Sequence, residues 1–282
     1  MRTGSDSGYH FVQDYRKCKR YFYHKYVNKL APVETAPALL FGHSMHGAME
    51  TWYTLLKKAK PVHERVRESL KTFEVRMNER MDEYAYHDRF LDDLQRGQNI
   101  LRNYGLQYPN ENWIVLAIEE DLQKVFSTGH VFTGRADLVV MSREGRVYLI
   151  DHKFTGWSLN NVIKSHQNSD QATAYKMLWD EKYPDKPINA CIFNICRAYK
   201  TNTEFHQLAV AKTFKDVEEF SKGIEDDLYR MQQRLADPDS TWPKNTDRCM
   251  DFNRPCDYLP LCQGSNFEGL VGVKYKIREE GE

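Results

Sequence analysis

Residues 134–153 read GRADLVVMSREGRVYLIDHK, two apolar segments on either side of a short polar turn. Such segments predict two strands, and Arg143-Glu144-Gly145 has the composition of a hairpin turn. The first segment carries Asp137, and the second carries Asp151 with Lys153 two residues later. Because side chains alternate along a strand, Asp151 and Lys153 should share one face. The stretch therefore predicts a hairpin that presents two carboxylates and a lysine.

These groups suit the hydrolysis of a phosphodiester. Two carboxylates can hold Mg²⁺ or Mn²⁺, which prefer oxygen ligands. A divalent ion polarises the scissile phosphate and acidifies water, and a lysine beside it can orient that water and offset developing charge. On these residues alone a second interpretation stays open, a surface hairpin whose Asp151 and Lys153 form a weak ion pair.

The rest of the pattern predicts an α/β fold. Around the hairpin, an earlier strand is predicted at 113–126, a helix at 169–181, further strands at 188–197 and 204–212, and a long helix at 215–236. The first hundred residues read as helical. Ser7 is expected to cap a helix that runs through Val27, Pro37 to open a helix that runs through Lys58, and residues 64–104 to form amphipathic helices broken near Met81.

Composition describes an ordinary globular protein of 282 residues, with 41% hydrophobic and 28% charged residues. Forty basic and forty acidic residues give a net charge of zero, so any nucleic-acid surface must be a local basic groove. No apolar run is long enough to span a membrane, and residues 1–10 lack a signal-peptide core. We therefore expect a protein of the cytoplasm that does not associate with membranes.

Six cysteines in a reducing compartment indicate metal binding or burial in place of disulfides. Cys18 stands alone near the start of the chain, whereas Cys249, Cys256 and Cys262 lie near its end as C-x6-C-x5-C. These spacings do not match a zinc ribbon or finger, but four thiolates can ligate an iron–sulfur cluster. A zinc site with the same ligands, or four unrelated cysteines, remain alternatives. The other two, Cys191 and Cys196, follow an apolar strand pattern and are predicted to be core residues.

The motifs resemble those of the PD-(D/E)xK nuclease superfamily, RecB-type iron–sulfur branch. Asp137 and Asp151-His152-Lys153 resemble its core, although Ala136 stands where the superfamily name has proline. Gln171 and Tyr175 match the Q-x-x-x-Y motif of that branch, and lie on one face of the predicted helix. Gly42 and His46 resemble its upstream G-x-x-x-H motif.

The cysteine flanks resemble the same branch, which includes the B subunit of the AddAB helicase–nuclease, the CRISPR-adaptation nucleases, and stand-alone phage and bacterial exonucleases. Cys18 is followed by Lys-Arg-Tyr-Phe, and Pro255 precedes Cys256. The resemblance implies a 4Fe–4S cluster held by Cys18, Cys249, Cys256 and Cys262. Its role would be structural, tying the C-terminal loop to the first helix.

The resemblance further implies a restriction-endonuclease-like mixed sheet flanked by helices, in a single nuclease domain over 1–282. That domain would comprise a helical lobe at 1–110, the core at 111–236 and a cysteine-rich segment at 237–282. The implied activity is that of a DNA exonuclease of recombination, repair or phage DNA processing that leaves a 5′-phosphate, with helicase or recombination proteins as partners. A non-catalytic DNA-binding or scaffold protein that kept the fold is the alternative.

The resemblance also implies a role for each motif residue. Asp137, Asp151 and His46 would bind Mg²⁺ or Mn²⁺, and Lys153 would position the attacking water. Gln171 and Tyr175 would steady the site or hold the DNA strand, and Arg135 would contact a phosphate.

Overall fold

The computed structural model describes residues 7–199, 202–251, 254–264 and 267–278. The chain divides into two compact units. One consists of Met1–Glu34, Gln123–Gly134 and Glu219–Glu282, and the other of Thr35–Leu122 and Arg135–Glu218. The four cysteines of the predicted cluster belong to the first unit, and the hairpin aspartates with Lys153 belong to the second.

A five-stranded mixed sheet forms the centre of the fold. Its strands stand in the order β2-β3-β4-β5-β6. β3 and β4 are antiparallel, β4 and β5 parallel, and β5 and β6 antiparallel. The bounds are β2 Ile114–Val125, β3 Val131–Met141, β4 Val147–Thr155, β5 Ile188–Tyr199 and β6 Asn202–Val210. The predicted α/β architecture is confirmed, because a mixed sheet flanked by helices is the restriction-endonuclease-like arrangement.

The parallel pair β4 and β5 needs a crossover connection, and two helices supply it. They are α6, Leu159–Gln167, and α7, Asp170–Lys182. Helix α7 begins where the sequence predicted, since the Ser169 side chain accepts a hydrogen bond from the Gln171 backbone N–H at 3.2 Å and caps the helix. Most of α7 is buried, including Tyr175, and its contacts with β4 bring the Q-x-x-x-Y motif against the sheet.

Three long helices pack together in the second unit, and the first and third of them contact the sheet. They are α3, Pro37–Lys57, α4, Val62–Asn78, and α5, His87–Gln107. Proline suits the first turn of α3, where its missing N–H costs nothing. The predicted break near Met81 is confirmed by a short 3₁₀ turn at Met81–Glu83. Helix α3 contributes Trp52, Met45 and Ala48 to the core, which fixes the face on which His46 lies.

The first unit contains short elements around its N-terminal helix. They are α1 Tyr9–Lys17, α2 Lys19–Phe22, a π-helical turn Tyr23–Val27, β1 Leu30–Pro32, the 3₁₀ turn Thr246–Arg248, β7 Met250–Asp251, β8 Arg254–Pro255, α9 Leu259–Cys262, α10 Phe267–Leu270 and β9 Tyr275–Ile277. The long helix α8, Phe214–Ala236, has residues in both units. β1 pairs with β9, and Leu30, Tyr258 and Tyr275 form a small core there.

The predicted continuous helix from Ser7 to Val27 is wrong. Cys18 is extended, with φ −161° and ψ 117°, and separates α1 from α2. Tertiary hydrogen bonds explain the break, because Arg20 donates its backbone N–H to the carbonyl of Pro243 at 3.1 Å and its side chain to the carbonyl of Trp242 at 2.7 Å. Local helical pattern could not reveal those distant partners.

Within the described ranges, none of the helices combines the length and the apolar character that a bilayer crossing requires.

Candidate active site

Asp137 and His46 meet in the second unit. Asp137 lies on β3, where its Oδ2 accepts the backbone N–H of His152 at 3.0 Å. The Nδ1 atom of His46, on α3, lies 3.1 Å from the same oxygen. Burial by itself would lower the pKa of His46, but the hydrogen bond and the charge of Asp137 outweigh it and raise that pKa. The structure therefore brings the G-x-x-x-H histidine to the first hairpin aspartate.

Asp151 is held from two sides. Its side chain is 2% exposed. Oδ1 accepts hydrogen bonds from Gln171 Nε2 at 3.2 Å and from the Tyr175 hydroxyl at 3.0 Å. Gln171 Nε2 also lies 3.1 Å from that hydroxyl. The Q-x-x-x-Y motif thus fixes the carboxylate plane of Asp151.

Lys153 occupies the other oxygen of this carboxylate. Its Nζ lies 2.7 Å from Asp151 Oδ2, because the two residues are two apart on β4 and share a face. Burial opposes the charge on the lysine, but Asp151 and Asp137 outweigh it and raise the Lys153 pKa. The ammonium group is therefore charged at neutral pH beside both aspartates.

The sequence did not single out Glu119, yet the structure places it at this site. Among the described residues, the one group of three or more His, Cys, Asp or Glu side chains with ligand atoms all within 4.8 Å of one another is His46, Glu119 and Asp137. Burial and the charge of Asp137 raise the pKa of Glu119 to about 7. A run of acidic residues on a predicted strand, Glu119-Glu120-Asp121, was the available signal.

Asp151 does not belong to that compact group. The predicted metal shell of His46, Asp137 and Asp151 therefore appears as two adjoining sets, one around Asp137 and one around Asp151. Asp137 still contributes to the charge felt by Lys153 and Tyr175, so the two sets are electrostatic neighbours.

A series of buried hydrogen bonds supports β4 on the face opposite Asp151. His152 points away from Asp151, and its Nδ1 lies 3.0 Å from Asn194 Nδ2. Asn194 donates to the Tyr104 hydroxyl at 3.0 Å, which lies 2.7 Å from that of Tyr53. The Tyr53 hydroxyl donates to Glu111 at 2.8 Å. Burial lowers the pKa of His152 to about 3, so its imidazole is neutral and serves structure, a role the sequence did not indicate.

Arg135 lies on β3 two residues before Asp137, and its charge acts on Glu119. Its guanidinium pairs with Asp121, with Nε 2.8 Å from Oδ1, and the two side chains are 60% and 76% exposed. Such an exposed pair is weak, so a phosphate can compete for the arginine.

The four cysteines of the predicted cluster gather in the first unit. None is in a disulfide, and each is half-buried. The backbone N–H of Asn245 donates to Cys18 Sγ at 3.4 Å, and Cys249 Sγ lies 3.9 Å from the carbonyl of Asn245. The Cys256 backbone N–H donates to the carbonyl of Cys249 at 2.8 Å. Residues from the two ends of the chain therefore meet around Asn245.

The thiols of Cys256 and Cys262 interact electrostatically with the other cysteines of this group. Burial raises the pKa of Cys262, and the charges of Cys18 and Cys249 raise it further. Burial also raises the pKa of Cys256, with Cys262 and Cys18 contributing. Cys191 and Cys196, by contrast, are buried in β5 at 2% and 0% exposure, which confirms that they are core residues.

Comparison with known proteins agrees with this geometry. The sequence model of the PD-(D/E)XK nuclease superfamily matches residues 10–263. The chain belongs to the PD-(D/E)XK nuclease superfamily. No curated protein matches this nuclease at a significant level of similarity.

Solved structures similar to this nuclease are distant in sequence. One is a "Putative exonuclease" from Eubacterium rectale, with 12% identity, a TM-score of 0.48, and coverage of 90% of this chain and 92% of that one. Another is SSO0001, with 14% identity, a TM-score of 0.29, and coverage of 56% and 71%.

The donor set of this nuclease fits a divalent cation. His46 offers a nitrogen, and Glu119 and Asp137 offer carboxylate oxygens, within one small volume. Carboxylates suit Mg²⁺ and Mn²⁺, and an imidazole suits Mn²⁺ better than Mg²⁺. The superfamily uses divalent metals, and the residues present can hold one.

Proposed function

We propose that this protein is a metal-dependent deoxyribonuclease that acts as an exonuclease in DNA recombination, repair or phage DNA processing. The observation that carries the proposal is that both carboxylate oxygens of Asp151 have fixed partners. Gln171 and Tyr175 bind one oxygen while the Lys153 ammonium lies 2.7 Å from the other. A buried carboxylate fixed in this way beside a second aspartate suits phosphodiester hydrolysis better than fold maintenance.

Each predicted site residue has a place in this proposal. Asp137, Asp151 and His46 would hold a Mg²⁺ or Mn²⁺ ion, which supplies positive charge to polarise the phosphate and acidify water. Lys153 would orient the attacking water and stabilise developing negative charge.

The helix motif and Arg135 would act around that centre. Gln171 and Tyr175 would hold Asp151 in orientation and lie beside the DNA strand. Arg135 would exchange its exposed partner Asp121 for a DNA phosphate, because a planar guanidinium binds phosphate in a bidentate manner.

The test is digestion of end-labelled single- and double-stranded DNA by anaerobically purified protein with Mn²⁺. We expect release of short products carrying a 5′-phosphate, and loss of that release with EDTA. Asp151→Asn should remove cleavage. A matched control is Asp226→Asn, which affects an exposed ion pair with Arg230 on α8 and should leave the rate unchanged. No cleavage of any DNA by the parent protein would refute the proposal.

The alternative is a non-catalytic DNA-binding or scaffold protein. It predicts that the parent protein and Asp151→Asn bind DNA equally and that neither releases product at any Mn²⁺ concentration.

We further propose that Cys18, Cys249, Cys256 and Cys262 bind a structural 4Fe–4S cluster. Their free, half-buried thiols and the N–H···S hydrogen bond from Asn245 to Cys18 support this, since such bonds are typical around cluster sulfurs. A tetrahedral zinc site, with Zn–S of about 2.3 Å, requires four sulfurs in close contact. Zinc held by the same four thiolates is the alternative, and metal analysis distinguishes it from an iron–sulfur cluster.

The proposal also covers the domain organisation, the cellular location and the partners of the protein. We propose that 1–282 acts as a single nuclease domain in the cytoplasm, where reduced thiols persist. DNA is its substrate, and helicase or recombination proteins are its expected partners.

A further inference from the structure

Glu119 has an unusual backbone conformation for a strand residue. Its φ is 48°, in the left-handed region, although it lies within β2. A non-glycine residue there is strained, and such strain concentrates at functional sites. A left-handed residue also breaks the simple alternation of side chains, so it can re-aim a carboxylate that regular pleating would direct elsewhere.

The neighbours of Glu119 have cationic partners of their own. Glu120 accepts hydrogen bonds from Lys182 and from the Tyr183 hydroxyl at 2.7 Å. Asp121 pairs with Arg135. Glu119 is directed instead at His46 and Asp137, so a second carboxylate is brought into the small volume around Asp137. Two crowded carboxylates and an imidazole favour a bound divalent cation.

We propose that Glu119 is a further metal ligand, and that with His46 and Asp137 it holds the divalent cation of this active site. Three donor atoms within 4.8 Å of one another carry this assignment. Asp151, whose oxygens bind Gln171, Tyr175 and Lys153, lies outside this group of three, so Glu119 adds to the ligands already proposed and does not replace Asp151. The inference rests on the proposed function, because it assigns a further ligand to the same active site.

The experiment measures Mn²⁺ binding without DNA. Mn²⁺ is titrated into the full-length, metal-free protein and followed by calorimetry and by the electron paramagnetic resonance signal of free Mn²⁺. Glu119→Gln keeps the size of the side chain and removes the charge, and should weaken Mn²⁺ binding by at least about tenfold. Glu120→Gln is the matched control and should bind Mn²⁺ as the parent does. Thermal unfolding of each variant confirms that it is folded.

Two results would overturn the assignment: Mn²⁺ binding by Glu119→Gln equal to that of the parent, or no Mn²⁺ binding by the parent. Cleavage is measured separately. If the parent cuts DNA while Glu119→Gln binds Mn²⁺ normally, the ligand assignment fails and the nuclease proposal stands. If Glu119→Gln loses Mn²⁺ but the parent cuts no DNA, the ligand assignment stands and the nuclease proposal fails.

Discussion

The Tyr175 hydroxyl donates a hydrogen bond to Asp151 Oδ1 at 3.0 Å, across the interface between α7 and β4. The donor is buried, and burial together with the charge of Asp151 raises the Tyr175 pKa well above its ordinary value. The phenol therefore stays protonated and acts as a fixed donor to the carboxylate. We propose that Tyr175 acts as a positioning residue for Asp151.

Replacing Tyr175 with Phe should slow cleavage by about tenfold, the order expected when a partner that orients a metal ligand is lost. It should also lower the free energy of unfolding by about 1 kcal/mol. Tyr183→Phe is the control, because its hydroxyl contacts Glu120. The measurements are single-turnover cleavage and urea unfolding. Equal rates for the two variants would show that the Asp151 contact has no role in the reaction.

Lys153→Ala should abolish cleavage and also destabilise the metal-free protein. The variant leaves Asp151, 2% exposed, without its cation. Removing one partner of a buried ion pair costs about 3 kcal/mol or more. Lys182→Ala, which breaks the more exposed pair with Glu120, should cost less than about 1 kcal/mol. Urea unfolding in EDTA checks this, and equal losses of stability for the two variants would contradict it.

His46→Ala should weaken Mn²⁺ binding and cut the cleavage rate, and His43→Ala should do much less. His46 Nδ1 lies 3.1 Å from Asp137 Oδ2, whereas His43 Nδ1 lies 3.0 Å from an Arg80 nitrogen. The parent should also work better with Mn²⁺ than with Mg²⁺, because Mn²⁺ accepts nitrogen ligands more readily. Cleavage rate against Mn²⁺ concentration for the three proteins is the measurement. If His43→Ala reduced Mn²⁺ binding and the cleavage rate more than His46→Ala did, the assignment of His46 would be wrong.

Protein purified without oxygen should be brown and contain about four irons per chain. Replacing any of Cys18, Cys249, Cys256 and Cys262 with Ser should bleach the visible absorption and lower solubility, since the cluster would contribute folding energy. Cys191→Ala and Cys196→Ala are the controls and should keep the colour. A colourless anaerobic preparation with one zinc per chain would overturn the cluster proposal.

Glu119→Gly should stabilise the metal-free protein relative to Glu119→Ala by about 1 kcal/mol, because only glycine adopts the left-handed region without steric cost. Both variants lose the carboxylate, so their difference isolates the backbone conformation. Urea unfolding in EDTA measures it. Equal stability of the two variants would mean that the strand relaxes at position 119 and stores no strain.

Local periodicity was enough to predict the central parts of the site. Asp151 and Lys153 share a strand face because they are two residues apart, and Gln171 and Tyr175 share a helix face because they are four apart. The start of α7 was equally predictable, and the structure shows that Ser169 caps the helix there. The sheet and its flanking helices followed from the same local signals.

Cys18 and Glu119 show which features local sequence pattern could not predict. Cys18 interrupts a segment with helical periodicity because Arg20 bonds to the carbonyls of Trp242 and Pro243, partners more than two hundred residues away that no local window contains. Glu119 is one acidic residue among three in a row, and local pattern does not separate it from Glu120 and Asp121. The structure does, because Glu119 has a left-handed backbone and lies beside His46 and Asp137.

The sequence by itself determined the strands and long helices around the hairpin, and which candidate side chains share a face within each element, because these depend on residues a few positions apart. The tertiary structure alone decided which elements meet. It placed His46 of α3 and Glu119 of β2 against Asp137, and the Q-x-x-x-Y face of α7 against Asp151. These contacts depend on how the elements pack and on the order of the strands. Both are set by residues distant in sequence, and short-range periodicity does not encode them.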